Sequence, residues 1–287
     1  ASGSNAAISS TSTAGGSTLF SARYYSAKWY GELDAFPVTG TGISSTRTWR
    51  ASIPTSGRNI FTYSGVVATP GATFPTATQT TALTAPIAAY IAGERTNEEQ
   101  NGGTLRDREA LLGDIVNSSP TYLKTSNTVQ TVFVGANDGM MHAFNALNGV
   151  ERFAYVPRGI DLTKLRNFSN PDYAHHFFVD GPVTISDRRF VPNRDILVGT
   201  LGRGGKGLYA LDVTNPAAFT TANVLWDHDG TFNTNMGYIL GRPFIARLNN
   251  GSTAVVVPNG INSSTGRAVL FLLDAFTGAL IKMIDTG

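Results

Sequence analysis

GDIVNSSPTYLKTSNTVQTVFVGANDGMMHAFNALNGVERFAYV, residues 113–156, reads as one four-stranded β unit. A first strand lies around Pro120. A second, 131–135, ends at Ala136-Asn137-Asp138-Gly139. A third, 140–144, ends at Asn145-Ala146-Leu147-Asn148-Gly149, and a fourth, 151–156, is aromatic and β-branched. Asn-Asp-Gly and Asn-Gly between apolar runs are hairpin signals, because these residues tolerate the positive φ of tight turns.

The unit recurs downstream. Pro120, Pro182 and Pro243 fall 62 and 61 residues apart, the last two within Asp180-Gly181-Pro182 and Gly241-Arg242-Pro243. Each proline is followed by an apolar strand (TVFVG, DILVG, TAVVVPNG), then by a strand ending in Asn145, Asp212 or Asp274, then by a fourth strand. The Asn145–Gly149 turn is nearly copied by Asp274-Ala275-Phe276-Thr277-Gly278. Four strands at a period of about 60 residues predict an all-β fold, a partial β-propeller with enlarged four-stranded blades and few short helices. Proline suits a strand start, and the Asn/Asp-x-x-x-Gly turns predict side chains bonded to nearby backbone N–H groups.

Outward from the repeat, blades are expected at 113–174, 175–236 and 237–287. Residues 18–52, with Asp34-Ala35-Phe36 and Trp49, resemble strands three and four of an earlier blade. The small polar segment 1–17 is expected to be flexible or an edge. Residues 53–112, rich in Pro, Thr, Ala and Gly, read as an irregular insertion within the propeller fragment 18–287, with a short strand candidate in Arg58-Asn59-Ile60-Phe61-Thr62. A short helix is predicted at 104–112, with Thr104 as N-cap and Asp107 three residues on. Open blade edges and the abrupt ends of the sequence lead us to expect a piece of a larger propeller, or a partner.

Composition narrows the functional classes. Charged residues are 15% of the 287, and the net charge is only +2, so nothing electrostatic argues for nucleic acid. No cysteine is present, which removes disulfides, thiolate nucleophiles and Cys-based metal sites. No apolar run reaches the roughly 18–20 residues of a membrane span.

The chemistry-bearing motifs are weak. Gly202-x-Gly204-x-x-Gly207 precedes a strand rather than a helix, so it reads as a glycine hairpin and not a nucleotide site. Asp227-His228-Asp229-Gly230-Thr231-Phe232-Asn233 places oxygens on alternate residues, which makes Asp227, Asp229 and Asn233 a weak calcium candidate without the EF-hand spacing. Tandem His175 and His176 would point to opposite faces of a strand and so not share a metal. Arg106, Arg108 and Glu109 read as a solvated helix face or an anchor against the first blade. Asp114, Asp138, Asp180 and Asp212 are explained by turns or strand ends, and no catalytic residue is assigned.

GDIVNSSP (113–120), VFVGANDGMMHAFNALNG (132–149), HHFFVDGP (175–182), GTLGRGGKGLYALDVTNP (199–216), MGYILGRPFIARLNNG (236–251) and NGINSSTGRAVLFLLDAFTG (259–278) together resemble the C-terminal β-propeller of the PilY1/PilC family. WYGELDAF (29–36), SGRNIFT (56–62) and LRDREALLGD (105–114) fit the same family. Its turn and motif positions fall here on Gly113, Asp114, Pro120, Asn137, Asp138, Gly139, Asn145, Gly149, Asp180, Gly181, Pro182, Asp212, Pro243, Asp274 and Gly278. The resemblance implies a quinoprotein-dehydrogenase-like propeller that is not an enzyme. It implies a type IV pilus protein acting in pilus biogenesis, extension–retraction and adhesion. The implied location is the bacterial cell surface or pilus tip, outer-membrane-associated or secreted through the periplasm. Minor pilins and a host or abiotic surface are the implied partners. No cofactor is implied for this chain; calcium is expected from a loop after Gly287. A quinoprotein-type oxidoreductase and a generic interaction scaffold are the alternatives.

Overall fold

The computed structural model describes residues 2–8 and 17–287. Its first sheet holds β1 (Ser2–Ile8), β2 (Thr18–Tyr25), β3 (Tyr30–Thr39) and β4 (Gly42–Ile43) in that order, with β5 (Trp49–Arg50) also paired to β3. The flexible reading of 1–17 is corrected for Ser2–Ile8, which pairs with β2 from Ser2 opposite Tyr25 to Ile8 opposite Leu19. The free edge of β2 offers a row of backbone donors and acceptors that such a strand satisfies. Ala1 and residues 9–16 lie outside the described residues. Residues 18–52 contribute more than two final blade strands, because β2 and β3 form one long hairpin with Thr18 opposite Pro37 and Tyr25 opposite Tyr30.

The second sheet contains β6 (Ile60–Tyr63), β7 (Gly71–Thr73), β8 (Thr121–Lys124), β9 (Gln130–Gly135), β10 (Met141–Asn145) and β11 (Glu151–Val156), ordered β7-β6-β11-β10-β9-β8. The third is β12 (Val183–Ile185), β13 (Ile196–Thr200), β14 (Gly207–Asp212) and β15 (Val224–Asp229), and the fourth is β16 (Phe244–Arg247), β17 (Thr253–Pro258), β18 (Val269–Asp274) and β19 (Leu280–Asp285). Pro120, Pro182 and Pro243 each stand just before an edge strand of a sheet, β8, β12 and β16. These strands neighbour one another: the Thr121 hydroxyl donates to the Val183 carbonyl at 3.2 Å and the Thr184 hydroxyl to the Pro243 carbonyl at 2.9 Å.

Strand periodicity explains the stacking. Val132 and Val134 of β9 pack toward the first sheet with Phe20, Leu33 and Trp49, while Phe133 between them packs toward the third sheet with Tyr209 and Leu211. Ile196 and Val198 of β13 face the fourth sheet, and Leu197 faces the second. A strand buried on both faces carries a continuous apolar run, as Val132–Val134 and Ile196–Val198 do, and each large side chain so buried contributes about 1.5–3 kcal/mol. On β18, Val269, Phe271 and Leu273 are buried and alternate with half-buried neighbours, while β19 is exposed throughout.

A repeated indole contact locks consecutive sheets. Trp49 donates its Nε1–H to the Ala146 carbonyl at 2.9 Å, and Trp226 donates to the Ala275 carbonyl at 3.0 Å. The turn glycines beneath them, Gly149 (φ 77°) and Gly278 (φ 69°), are left-handed, and a Cβ there would stand 2.6 and 2.7 Å from the indoles. Only glycine meets both demands, which accounts for the near-copied turn.

The insertion 53–112 is more ordered than its composition suggests. It contains β6, β7, α1 (Ala77–Leu83) and α2 (Ala85–Ile91). β6 runs parallel to β11, with Ala154 opposite Ile60 and Val156 opposite Thr62, so the lead-in covers the outer edge of the blade it precedes. Thr76 and Gln79 form a reciprocal capping box that starts α1. The helix expected at 104–112 is absent. Its backbone is drawn into tertiary bonds instead: Leu105 bridges Glu98, Arg106 N–H donates to the Ser169 carbonyl, and the Arg108 side chain is pulled inward. Tertiary contacts override a weak local propensity here.

Candidate functional site

The β9–β10 turn is tied to the connectors that enter the second and third sheets. Gly113 N–H donates to Asp138 Oδ2 at 2.8 Å, and Asn137 Nδ2 donates to Asp114 Oδ2 at 2.8 Å. Phe178 N–H donates to Asn137 Oδ1 at 2.9 Å. Asn117 gives both its N–H and its Nδ2 to the Asp180 carboxylate, at 3.1 and 2.6 Å. Asp114, Asn137, Asp138 and Asp180 are all buried, and burial pushes the Asp180 carboxyl up. Gly181 sits against Thr200, where a Cβ would meet its hydroxyl at 2.1 Å, and Gly139 holds φ 96° in the turn. Asn145, Asp212 and Asp274 accept backbone N–H groups two residues on, as Asx turns require.

Asp138 has a further partner that the turn reading omits. His142, fully buried on β10, places Nε2 3.0 Å from Asp138 Oδ2 and Nδ1 2.8 Å from Glu151 Oε1. Glu151 in turn receives Arg58 Nε and Nη2 at 2.7 and 2.8 Å, and Arg58 Nη1 reaches the Ala92 carbonyl at 3.1 Å. Burial works against the imidazolium, but the carboxylates of Asp138 and Glu151 outweigh it and hold His142 at about 9. Burial likewise opposes the Glu151 carboxylate, and His142 with Arg58 still brings it down to about 2. The result is a buried chain Asp138–His142–Glu151–Arg58 with two charges of each sign. It fastens the lead-in to the second sheet.

A second hub centres on Glu98, buried in the lead-in. Arg108 Nε donates to it at 2.7 Å and Arg95 Nε at 3.1 Å. Arg108 also reaches the Tyr90 carbonyl at 2.7 Å and stacks over the Tyr90 ring at 3.6 Å. Burial would raise the Glu98 carboxyl; Arg108, Gln100 and Arg95 prevail and hold it below its ordinary range. No helix face forms there: Arg108 is interior, and the exposed Glu109 pairs with Lys28 in the β2–β3 turn, in keeping with the alternative of an anchor against the first sheet.

Three clefts open around this hub, and Arg95 lines all of them. One, of about 890 Å³, lies between Thr55–Arg58, Phe74 and Ala92. The others, of about 500 and 470 Å³, lie beside Trp29, Arg106 and Tyr173, and beside Tyr30, Arg50 and Glu109. The walls are the lead-in, the rim of the first sheet, and Pro171 and Tyr173 of the connector to the third sheet, a loop-rich surface of the kind on which binding residues concentrate. We take these clefts as the candidate functional site.

The other motif residues lie elsewhere. Asp227 is buried on β15, where its Oδ2 accepts the Tyr155 hydroxyl at 2.7 Å and Arg158 N–H at 2.8 Å, and burial pushes its carboxyl up to about 7. Asp229 accepts Thr231 N–H and pairs with Arg158, and Asn233 accepts Asn235 N–H. Asp227 Oδ2, Asp229 and Asn233 are thus bonded to protein donors, while Asp227 Oδ1 is buried without a partner. Among the described residues no group of three or more His, Cys, Asp or Glu is placed to hold a metal. His175 and His176 do not lie on a strand; His175 meets Asp114 Oδ2 at 2.8 Å and stacks on Trp29, with ring centres 3.7 Å apart. The glycine motif spans the β13–β14 connection, as a hairpin.

Residues 112–287 match the model of the PilY1 β-propeller domain. The chain belongs to the PilY1 β-propeller family. Two proteins of Xylella fastidiosa (strain Temecula1), both called type IV pilus biogenesis factor PilY1 homolog, are similar to it. One is 40% identical over 228 residues, 68% of this chain and 15% of the relative. The other is 34% identical over 291 residues, 92% of this chain and 24% of the relative, so the similarity reaches well into the lead-in. The chain thus spans a quarter or less of these PilY1 homologues. The crystal structure of the Pseudomonas aeruginosa PilY1 C-terminal domain is 32% identical, covering 56% of this chain and 31% of that one at a TM-score of 0.43.

Arg58, His142 and Glu151 escaped the sequence reading. The only available signal was the HAFNALNGVE spacing, which sets a histidine and a glutamate on paired strands β10 and β11.

Proposed function

We propose that this chain is a pilus-associated propeller module without catalytic activity, serving type IV pilus biogenesis and surface attachment. Family membership carries the reading, together with the name type IV pilus biogenesis factor borne by its relatives. The geometry bears on it in one respect: His142, Glu151 and Glu98 are held in interior ion pairs, while the clefts around Arg95 are open. Among the described residues no helix is long and apolar enough to cross a membrane. Extension–retraction of pili, contact with minor pilins and attachment to host or abiotic surfaces follow from this reading. Calcium enters it only through the loop that the family resemblance expects after Gly287.

The test is an in-frame deletion of the segment corresponding to residues 18–287 from the full-length gene in the parent bacterium. Sheared surface pilin and attachment to an abiotic surface would be measured together. Loss of either is expected; undiminished piliation and attachment in the deletion strain refute the proposal.

A further inference from the structure

The cleft of about 500 Å³ contains a cation, Arg106, that no carboxylate among the described residues answers. The Arg106 guanidinium carbon lies 4.3 Å from the centre of the Phe168 ring and 4.4 Å from that of Tyr173. Its main chain is held too: the N–H donates to the Ser169 carbonyl at 2.9 Å, and the carbonyl accepts the Tyr90 hydroxyl at 3.1 Å. Among the described residues the guanidinium forms no ion pair, and Nε is buried without an acceptor. The other cations of the cleft are engaged, Arg95 and Arg108 with Glu98 and Lys28 with Glu109. Trp29, on the same wall, holds φ 51°. That conformation is an outlier for a bulky residue, of the sort that collects at ligand clamps.

We propose that this cleft binds a carboxylate presented by a polypeptide, received by the Arg106 guanidinium. The planar fork of arginine matches a carboxylate in bidentate fashion. Ring contacts fix its plane, so little side-chain freedom is lost on binding. Glu99, Asp107 and Glu109 line the same cleft and repel polyanions, which favours a ligand carrying a single negative charge over nucleic acid or polyphosphate. A polypeptide is favoured because the adjoining cleft shares Arg95 and Glu109 with this one and includes Gly31, Ser52 and Ile53 of the first-sheet rim. It therefore offers room for chain beyond the carboxylate. This inference does not depend on the pilus reading, since it is measured on the isolated 287-residue chain.

The test is calorimetric titration of that chain with sodium acetate, N-acetyl tetra-alanine bearing a free terminal carboxylate, the same peptide as its amide, and a pentapeptide amide with one central glutamate. Binding of the free-acid peptide but not its amide is expected. Binding of the glutamate peptide supports the same site with a side-chain source. Arg106→Gln is expected to weaken peptide binding about tenfold or more, the loss of one charge-assisted hydrogen-bonded pair, and Arg106→Lys to restore only part. Absence of binding by both carboxylate peptides overturns the proposal, as does equal binding by Arg106→Gln. Acetate binding as tightly as either peptide overturns the polypeptide assignment. If Arg106→Gln does not fold, comparison of free acid with amide on the unaltered chain decides.

Discussion

Replacing His142 with Gln isolates the titration at the centre of the buried ionic chain. In the folded protein His142 titrates at about 9, against an ordinary value of 6.5. A raised value means that the native state holds the proton more tightly than the unfolded chain. The stabilisation is therefore complete below pH 6.5 and is lost as pH rises through 9. Between these limits stability should fall by about 1.4 kcal/mol per pH unit, or about 3 kcal/mol in all. The glutamine removes the proton but keeps a polar side chain between Asp138 and Glu151. Urea unfolding of both proteins from pH 6 to pH 10, followed by tryptophan fluorescence, yields the difference directly. The wild-type protein should lose about 3 kcal/mol more than the variant across that window, while the variant starts less stable at pH 6. Parallel pH profiles would show that the fold holds the His142 proton no more tightly than the unfolded chain does and that the charge reasoning is wrong. Observation of the imidazole by NMR, with a midpoint near 9, supplies an independent check.

Three further outcomes follow from the same structure. Asp227→Asn should stabilise the protein at pH 8 by about 1 kcal/mol or more and leave it unchanged or weaker at pH 4, because burial raises this carboxyl to about 7 and the amide still accepts from Tyr155 and Arg158; thermal unfolding at the two pH values decides. Gly278→Ala should cost about 1–3 kcal/mol through its positive φ and the clash with Trp226, whereas Gly266→Ala, also at positive φ but with open space, should cost less; equal losses in denaturant midpoint would remove the indole from the explanation. Glu98→Gln should cost about 3–5 kcal/mol, since Arg108 would keep its charge in the interior without its carboxylate. Hydrogen exchange in Ala85–Ile91 should then rise ahead of exchange in β9 and β10, and unchanged protection there would contradict the role given to the hub.

The repeat was legible because its signals are local. Asn145 and Gly149, or Asp274 and Gly278, fall within one turn of chain and dictate its shape wherever that turn is placed. The prolines before β8, β12 and β16 mark blade starts for a similarly local reason. Strand limits at 130–135, 141–145 and 151–156 fall within one residue of those set by the apolar runs and turn signals. The lead-in resisted the same approach. The Thr76-to-Gln79 capping box is a local signal that composition rich in Pro, Thr and Ala obscured. At 104–112 a helical pattern was overruled by Glu98 and Ser169, neither of which the local pattern specifies as a neighbour.

The all-β repeat, the turn chemistry and the lack of thiols are written in the chain itself, since each depends on residue type and spacing along it. Only the fold brings Arg58, 93 residues before Glu151 in sequence, into a buried ion pair with it, lays β6 parallel on the outside of β11, and sets Arg106 between two rings with no counter-ion among the described residues. A charged side chain carries no local mark of its partner. Whether it is solvated, paired or left free depends on which distant segments folding brings within a few ångströms of it.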